Sequence, residues 1–399
     1  MCISVHQLCY VHADKEPLFQ NINLTVNKGQ RLALVGNNGS GKSTLLRILE
    51  GSLKASSGEV VCASRPYYVP QHFGQFDHLT VAEALRVDGS IKALHAILAG
   101  DASVENFTRL NDDWSVEERC LSALAFWDLG HLQLSQPMHS LSGGEKTKVF
   151  LSGISVHTPE IILMDEPTNH LDISSRDKLY EMVRTGRSTL LIVSHDRTLL
   201  NLLPGICELE RNGVTLYGGN YDFYREQKEL ALTALQNQLD EKEKELRLAR
   251  KVARETLERK NKANAHSDKT SFKKGISRMA VNTLKDKAEK STVRLNDVHE
   301  EKIVSLQSSV AELQNTIPDM RALQTNFNSS ALHTGKILIT AEQVNFGYSS
   351  SCLWPSPLDF RIRSGDRVHI TGNNGSGKTT LVRLLLGELQ PVSGAITRA

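Results

Sequence analysis

Nowhere does this sequence run apolar for the ~18–20 residues that a membrane-spanning helix needs, so any membrane partner would have to be a separate chain. Its six cysteines (Cys2, Cys9, Cys62, Cys120, Cys207, Cys352) include no Cys-x-x-Cys pair and no metal-ligand spacing. They read as buried, reduced thiols of an intracellular protein rather than as a disulfide framework. The N-terminus opens directly into strand-like sequence with no basic and apolar targeting segment, so a cytoplasmic location is expected. Glycine and proline are almost missing from residues 223–318. What remains is ordinary: 399 residues, 40% hydrophobic, a net charge of +2, enough for two or three domains with normal cores.

One passage occurs twice. Gly29 leads through Gly36-Asn37-Asn38-Gly39-Ser40-Gly41-Lys42-Ser43-Thr44 to Gly51 and Ser57-Gly58, and it returns as Gly365, Gly372-Asn373-Asn374-Gly375-Ser376-Gly377-Lys378-Thr379-Thr380, Gly387 and Ser393-Gly394. The constant offset marks two copies of one domain. Each copy holds Gly-x-x-x-x-Gly-Lys-Ser/Thr, a phosphate-binding loop. Its backbone N–H groups cradle phosphates, Lys42 or Lys378 reaches the outer phosphates, and Ser43 or Thr379 places a hydroxyl on Mg²⁺. Each loop runs into an apolar helical stretch, which sets a positive helix end under the phosphates. The second copy has little sequence after its loop, so the chain reads as part of a longer two-domain protein. Little ordered structure is expected beyond about Lys336.

Within the first copy, Arg31 to Val35 is a buried-looking strand that delivers the chain into the loop. Two further apolar runs end in polar residues: Ile161 to Met164 in Asp165-Glu166, and Thr189 to Val193 in Ser194-His195. Such runs, spaced by helical patterns such as 174–184, predict central parallel strands with crossover helices. Ligands collect at the carboxyl ends of such strands. There Asp165 is placed to hold Mg²⁺ through water, and Glu166 to polarise the attacking water. Gln71, after Tyr68-Val69-Pro70, stands by itself as ordinary surface. His195 alone fits a structural histidine as well as a functional one.

Leu141-Ser142-Gly143-Gly144-Glu145 changes that balance. A serine and two glycines opening a helix form an anion-binding nest. With the loop, Gln71, Asp165-Glu166, Asp172 and His195, the set resembles a complete ATP-binding cassette domain, in order. The wording Leu-Ser-Gly-Gly-Glu-Lys-Thr-Lys, Asp-Glu-Pro-Thr-Asn-His-Leu-Asp, Ser-His-Asp-Arg and Tyr217-Gly-Gly-Asn-Tyr221 is similar to the ABC-F branch: two cassettes on one chain, no membrane domain, ribosome-associated ATPases. The resemblance implies that Ser142 and Gly144, with Gly143 between, face the γ-phosphate of ATP held by the opposite cassette. It implies that His195 senses that phosphate and that Gln71 reports on Mg²⁺ and the attacking water. The ring that stacks on adenine aligns with Tyr348 in the second copy and His12 in the first, with Tyr10 two residues earlier as the other candidate.

The expected fold is α/β: a phosphate-loop NTPase cassette with a parallel-sheet core (1–222), a long helical hairpin linker with a basic tip (223–335) and the start of a second cassette (336–399). Apolar residues of the linker recur at helical spacing, Leu235, Leu239 and Leu246 on one side and Leu306, Val310 and Leu313 on the other. The stretch Asn264–Gly275 breaks that pattern and is expected to hold the turn. Between Arg247 and Arg294 there are 15 Lys/Arg against 5 Asp/Glu, a net of +10, where a solvated helix face would balance its signs. The excess is the footprint of a nucleic-acid binder, carried by Arg259, Lys260, Lys262, Lys269, Lys273, Lys274 and Arg278 with Phe272 as a stacking ring. The resemblance makes the partner ribosomal RNA and tRNA, with no DNA and no membrane, and has the two cassettes pair within the full-length chain. An ATP-binding subunit of a transporter is the alternative, disfavoured by the fused cassettes and the basic linker. With two phosphate loops but one nest, these 399 residues are expected to turn over little ATP as a monomer.

Overall fold

The computed structural model describes residues 2–12, 15–271, 278–316, 335–348, 352–372 and 375–399. The chain divides into two compact units, residues 1–224 with 328–399, and residues 225–327.

In the first unit, β1 (Ile3–Val11), β2 (Pro17–Val26) and β4 (Ser57–Cys62) form an antiparallel sheet in the order β2-β1-β4. A larger sheet takes β3 (Arg31–Val35), β5 (Tyr67–Val69), β6 (Ile161–Asp165), β7 (Thr189–Val193), β8 (Gly205–Glu210) and β9 (Gly213–Gly218) in the order β5-β6-β7-β3-β8-β9, parallel throughout except for β9. Around it lie α1 (Lys42–Glu50), α2 (Val81–Ala84), α3 (Asp88–Leu98), α4 (Val104–Leu110), α5 (Val116–Phe126), α6 (Gly143–His157), α7 (Ile173–Thr185) and α8 (Arg197–Asn201).

Every residue of β6 and β7 is buried, because the sheet is covered on both faces. The period-2 alternation of a strand sorts their side chains between two cores. Leu32, Leu34, Ile161, Leu163, Leu191 and Val193 pack with the α1 residues Leu45 and Leu46 and with the antiparallel sheet. Ala33, Val35, Ile162, Met164, Leu190 and Ile192 pack on the other side with residues of α2, α3, α5 and α6. The register lines up the strand ends that matter: Val69 pairs with Met164, Asp165 with Val193, and Leu34 with Val193. The loops after β3, β5, β6 and β7 therefore leave the sheet along one edge.

The second copy contributes β10 (Ile337–Asn345), β11 (Leu358–Arg363), α11 (Lys378–Leu386) and β12 (Ser393–Arg398), with the sheet order β11-β10-β12 repeating that of β2-β1-β4. Ala341, Val344, Phe346 and Leu384 form its small core. The expectation of little ordered structure beyond Lys336 is corrected here, because an antiparallel sheet and one helix close on partners near in sequence. The matching strand does not form: residues 367–371, the counterparts of β3, are not in a strand and are mostly exposed. In the first copy β3 is held by β7 and β8, and five residues without such neighbours have no ladder to join.

The second unit is helical, with α9 (Tyr221–Ser271, whose first turn belongs to the first unit) and α10 (Arg278–Thr316). Leu239, Leu246 and Val310 are buried together, with Ile303, Leu306 and Leu313 against them, and Gln314 Nε2 donates to Glu243 Oε1 at 3.4 Å. These contacts make the pair antiparallel. Asn264–Ser271, expected to begin the turn, instead continues α9, and residues 272–277 lie outside the described residues. Loss of apolar spacing does not by itself end a helix, and the first glycine comes only at Gly275. Phe272, Lys273 and Lys274 lie outside the described residues.

Candidate nucleotide-binding site

The loop between β3 and α1 is built by backbone that glycine permits. Gly36 (φ 153°) leaves β3 so close to β8 that a Cβ there would stand 2.6 Å from the Leu209 carbonyl oxygen. Gly41, at φ 94°, caps α1 where a Cβ would meet the Leu18 and Phe19 side chains at 2.8 Å. Both positions therefore exclude a side chain on space as well as on conformation. Lys42 is buried, and its Nζ donates to the Gly36 and Asn37 carbonyls at 2.9 and 3.0 Å. Burial pulls its ammonium below the usual lysine range, while the carboxylates of Glu166 and Asp165 pull the other way.

A cavity of about 490 Å³ opens beside this loop, lined by Asn38, Gly39, Gly41, Lys42, Ser43, Thr44, His12, Gln71, Asp165, Glu166 and His195 among others. The spread of sequence positions is the product of the aligned strand ends. Asp165 ends β6 almost fully buried, and Tyr68 Oη donates to its Oδ2 at 3.3 Å. Burial raises its carboxyl above the ordinary value, against hydrogen bonds from Ser43 and Tyr68. Glu166 follows with φ 50°, the left-handed region, fixed there by its N–H donating to the Val193 carbonyl at 2.8 Å. A non-glycine residue held so at a strand end is strain of the kind that functional sites retain. Its carboxyl is also raised, first by burial and then by Asp165, with His195 and Lys42 acting against. His195 meets it twice, through its N–H to Oε2 at 3.2 Å and its Nε2 near Oε1 at 3.4 Å. The imidazole itself is largely exposed.

Mg²⁺ fits these residues. Asp165 Oδ1 is buried with no hydrogen-bond partner among the described residues, and the Ser43 hydroxyl lies on the same carboxylate. Two hard oxygens beside a phosphate-binding loop are the donors that a small divalent cation takes, with substrate and water completing its shell.

These buried carboxylates cost the nucleotide-free protein stability. Between the ordinary carboxylate pKa and the raised values the folded chain binds more protons than the unfolded one. Stability from these groups therefore falls as pH rises through that window. Asp165→Asn keeps an acceptor for Ser43 and Tyr68 and removes the charge, so it should raise the Tm of nucleotide-free protein at pH 7 by ~2–4 °C, about 1 kcal/mol. Thermal melts from pH 4 to 8 should show the gap between variant and wild type widening with pH. A constant gap would remove the titrating carboxyl as its cause.

Comparison with known proteins agrees with this geometry. The sequence profile of the family described as "ABC transporter" matches residues 19–169 and 356–399. "ATP-binding protein Uup" of Escherichia coli (strain K12) is 30% identical over 99% of this chain and 59% of its own length. "Tylosin resistance ATP-binding protein TlrC" of Streptomyces fradiae is 30% identical over 99% of this chain and 74% of its own length. This chain belongs to the ABC-F family. It spans between about half and three quarters of the length of the curated relatives it matches. A solved structure described as "Structure of ATP binding subunit of ABC transporter" is 23% identical over 58% of this chain and 94% of that chain, with a TM-score of 0.44.

Of the two rings considered for adenine, His12 lines the cavity while Tyr10 packs at the edge of the core, the two meeting edge to face at 5.5 Å. The second copy repeats the arrangement: Phe346 is buried, Tyr348 is 70% exposed, and their rings meet edge to face at 5.0 Å. Lys378 Nζ donates to the Gly372 carbonyl at 2.7 Å as Lys42 does to Gly36, Gly377 caps α11 at φ 88°, and Tyr348 Oη lies 3.0 Å from Thr380 Oγ1. Gly375 is again left-handed (φ 78°), and Thr379 stands in α11 where α1 has Ser43.

Ser142, Gly143 and Gly144 do not line the Lys42 cavity. Ser142 caps α6, and its N–H and Oγ both donate to Glu145 Oε2, at 2.8 and 2.7 Å. The nest therefore belongs to a different surface from the loop in the same cassette. One residue of the site escapes a reading of the sequence, Tyr68, which orients Asp165; Glu208, a buried carboxylate outside the Lys42 cavity, escapes it as well. Tyr68 stands in plain view beside Gln71; no local pattern announces Glu208.

Proposed function

We propose that this chain is an ABC-F ATPase that binds ATP and Mg²⁺ in the Lys42 cavity and acts on the ribosome, as a translation factor or as a ribosome-protecting resistance protein. The observation that carries the nucleotide half is the convergence of Lys42, Ser43, Gln71, Asp165, Glu166 and His195 on one cavity at the carboxyl edge of a parallel sheet. Lys42 leaves its two carbonyl partners for the outer phosphates. Ser43 and Asp165 would hold Mg²⁺, which supplies charge neutralisation to the triphosphate, and His12 offers a ring for adenine. Glu166, its carboxylate buried at the cavity wall, takes the proton of the attacking water, while His195 fixes that carboxylate by its N–H. Ser142 and Gly144 serve a second cassette, from which the first site in turn needs its own nest.

The ribosomal half rests on the linker's net of +10 between Arg247 and Arg294, a stretch that α9 and α10 largely carry. TlrC, by name a tylosin-resistance protein, supports the same direction. In pelleting assays, Glu166→Gln with ATP should bring down the chain with ribosomes at several times the yield of nucleotide-free protein. Equal recovery with and without ATP would refute nucleotide-dependent ribosome binding. Among the described residues no helix is long and apolar enough to cross a membrane.

A further inference from the structure

A second cavity, of about 180 Å³, lies against the first and shares Lys42 and His195 with it. It is lined by Gly36, Asn37, Lys42, Ser194 and His195 on the side of the phosphate loop, and by Glu208, Tyr221 and Tyr224 on the side of α9. Glu208 is 7% exposed and sits in β8 directly beside Val35, the residue before the loop. The Tyr217 hydroxyl donates to its Oε2 at 3.2 Å. Tyr224 also bonds its hydroxyl to this carboxylate, and burial together with that carboxylate pushes the phenol well above its usual range. The Tyr217 and Tyr224 rings meet edge to face at 4.9 Å, and Tyr221 packs against Tyr224 at 5.8 Å. The rest of the first turn of α9 is fixed as firmly: Asn220 Oδ1 accepts from the Phe223 N–H, and Asn201 exchanges two hydrogen bonds with Asp222.

A buried carboxylate is costly, and two phenols are a costly way to satisfy it if the only need were to pack a helix end. The arrangement makes a short mechanical path. The carbonyls of Gly36 and Asn37 that hold Lys42 belong to residues lining this cavity, the Gly36 backbone rests on the Leu209 carbonyl, and Glu208 is the next residue. When Lys42 moves to a phosphate, those carbonyls lose their cation, and the negative wall they share with Glu208 must rearrange or find new donors. The Tyr224 hydroxyl is a donor on that wall. We propose that Glu208 is a positioning residue that couples occupancy of the Lys42 site to the first turn of α9, acting through the hydroxyls of Tyr217 and Tyr224. It touches neither nucleotide nor metal. This inference rests on the nucleotide reading of the Lys42 cavity and adds to it the residue through which the linker helix senses that site.

The test is hydrogen exchange of the whole chain with and without ATP, read on peptides covering residues 219–235, alongside ATP affinity from a fluorescent analogue. Wild type should bind ATP and change exchange in this segment by about fivefold. Tyr224→Phe keeps the ring and removes only the hydroxyl, and Glu208→Gln keeps the shape and removes the charge. Both should bind ATP within about twofold of wild type, while the ATP-dependent difference in exchange collapses. A purely structural role predicts faster exchange in both states with the difference preserved, and that result would overturn the proposal. Wild type that binds ATP with no change in exchange would overturn it alone. Wild type that binds no ATP would take down the nucleotide reading, and the coupling with it.

Discussion

Replacing Lys42 with alanine should weaken ATP binding by one to two orders of magnitude, while Glu166→Gln should leave it within about twofold. Both residues line one cavity and both are buried, so the difference must come from charge and role. Lys42 is the cation that the loop presents, already stripped of water and held by two carbonyls. A charge-assisted hydrogen bond to a phosphate in such a setting is worth about 1.5–3 kcal/mol, which is a loss of ~10- to 150-fold in affinity. Glu166 is an anion beside the phosphates, and its removal relieves repulsion as well as burial cost. What Glu166→Gln removes is the base for the water, a loss of ~10²–10⁴ in turnover. If, as proposed, the first site takes its nest from another cassette, that turnover is to be measured where rate per molecule rises with protein concentration. Calorimetric or fluorescence titration of the two variants decides the assignment: equal loss of affinity in both would mean that Glu166 holds nucleotide and is not the base. Rapid, concentration-independent turnover by wild-type protein would show that one cassette suffices.

Much of this site is legible in the sequence because its parts are local. A phosphate loop is specified by glycines within nine residues, and φ values of 153° and 94° at Gly36 and Gly41 show why those positions accept nothing larger. Asp165 and His195 can be placed because apolar runs that end in polar residues name both a central strand and its carboxyl end. The choice between His12 and Tyr10 cannot be made in sequence, since alternation along an irregular strand with three register shifts gives no fixed face. Residues 367–371 show the opposite failure. Their resemblance to β3 is plain, yet β3 is held by β7 and β8, and among the described residues, 367–371 pair with no strand. Glu208 stays hidden for a related reason. Its meaning comes from Tyr217 in the next strand and Tyr224 in a helix, and each of the three residues is unremarkable alone. Asn264–Ser271 remain in α9 although the sequence pattern breaks there, because polar residues weaken apolar spacing without ending a helix.

Reversing charge along the linker should separate ribosome association from nucleotide binding. Arg250, Arg254, Arg259 and Lys262 are exposed on α9, and Arg254 gives part of its charge to Glu258 at 3.3 Å. The base of the hairpin is different, since there Lys242 pairs with Glu245 at 2.9 Å and Arg247 with Glu243 at 3.5 Å. Paired surface charges contribute little and are screened by salt, so the base should tolerate substitution. Cations in excess along the distal half can neutralise phosphates, and each phosphate so neutralised adds ~0.7–0.9 to the slope of log affinity against log salt. Arg250→Glu, Arg259→Glu and Lys262→Glu together should therefore lower RNA or ribosome affinity by at least about tenfold at low salt and flatten that slope by ~2. ATP affinity at Lys42 should stay within about twofold, because the Lys42 cavity is lined by none of these residues. A control reversing Lys242 and Lys244 at the base should leave both properties near wild type. If the distal variant kept the wild-type affinity and slope, its charges would be a solvated helix face, and the partner of the linker would have to be sought in protein.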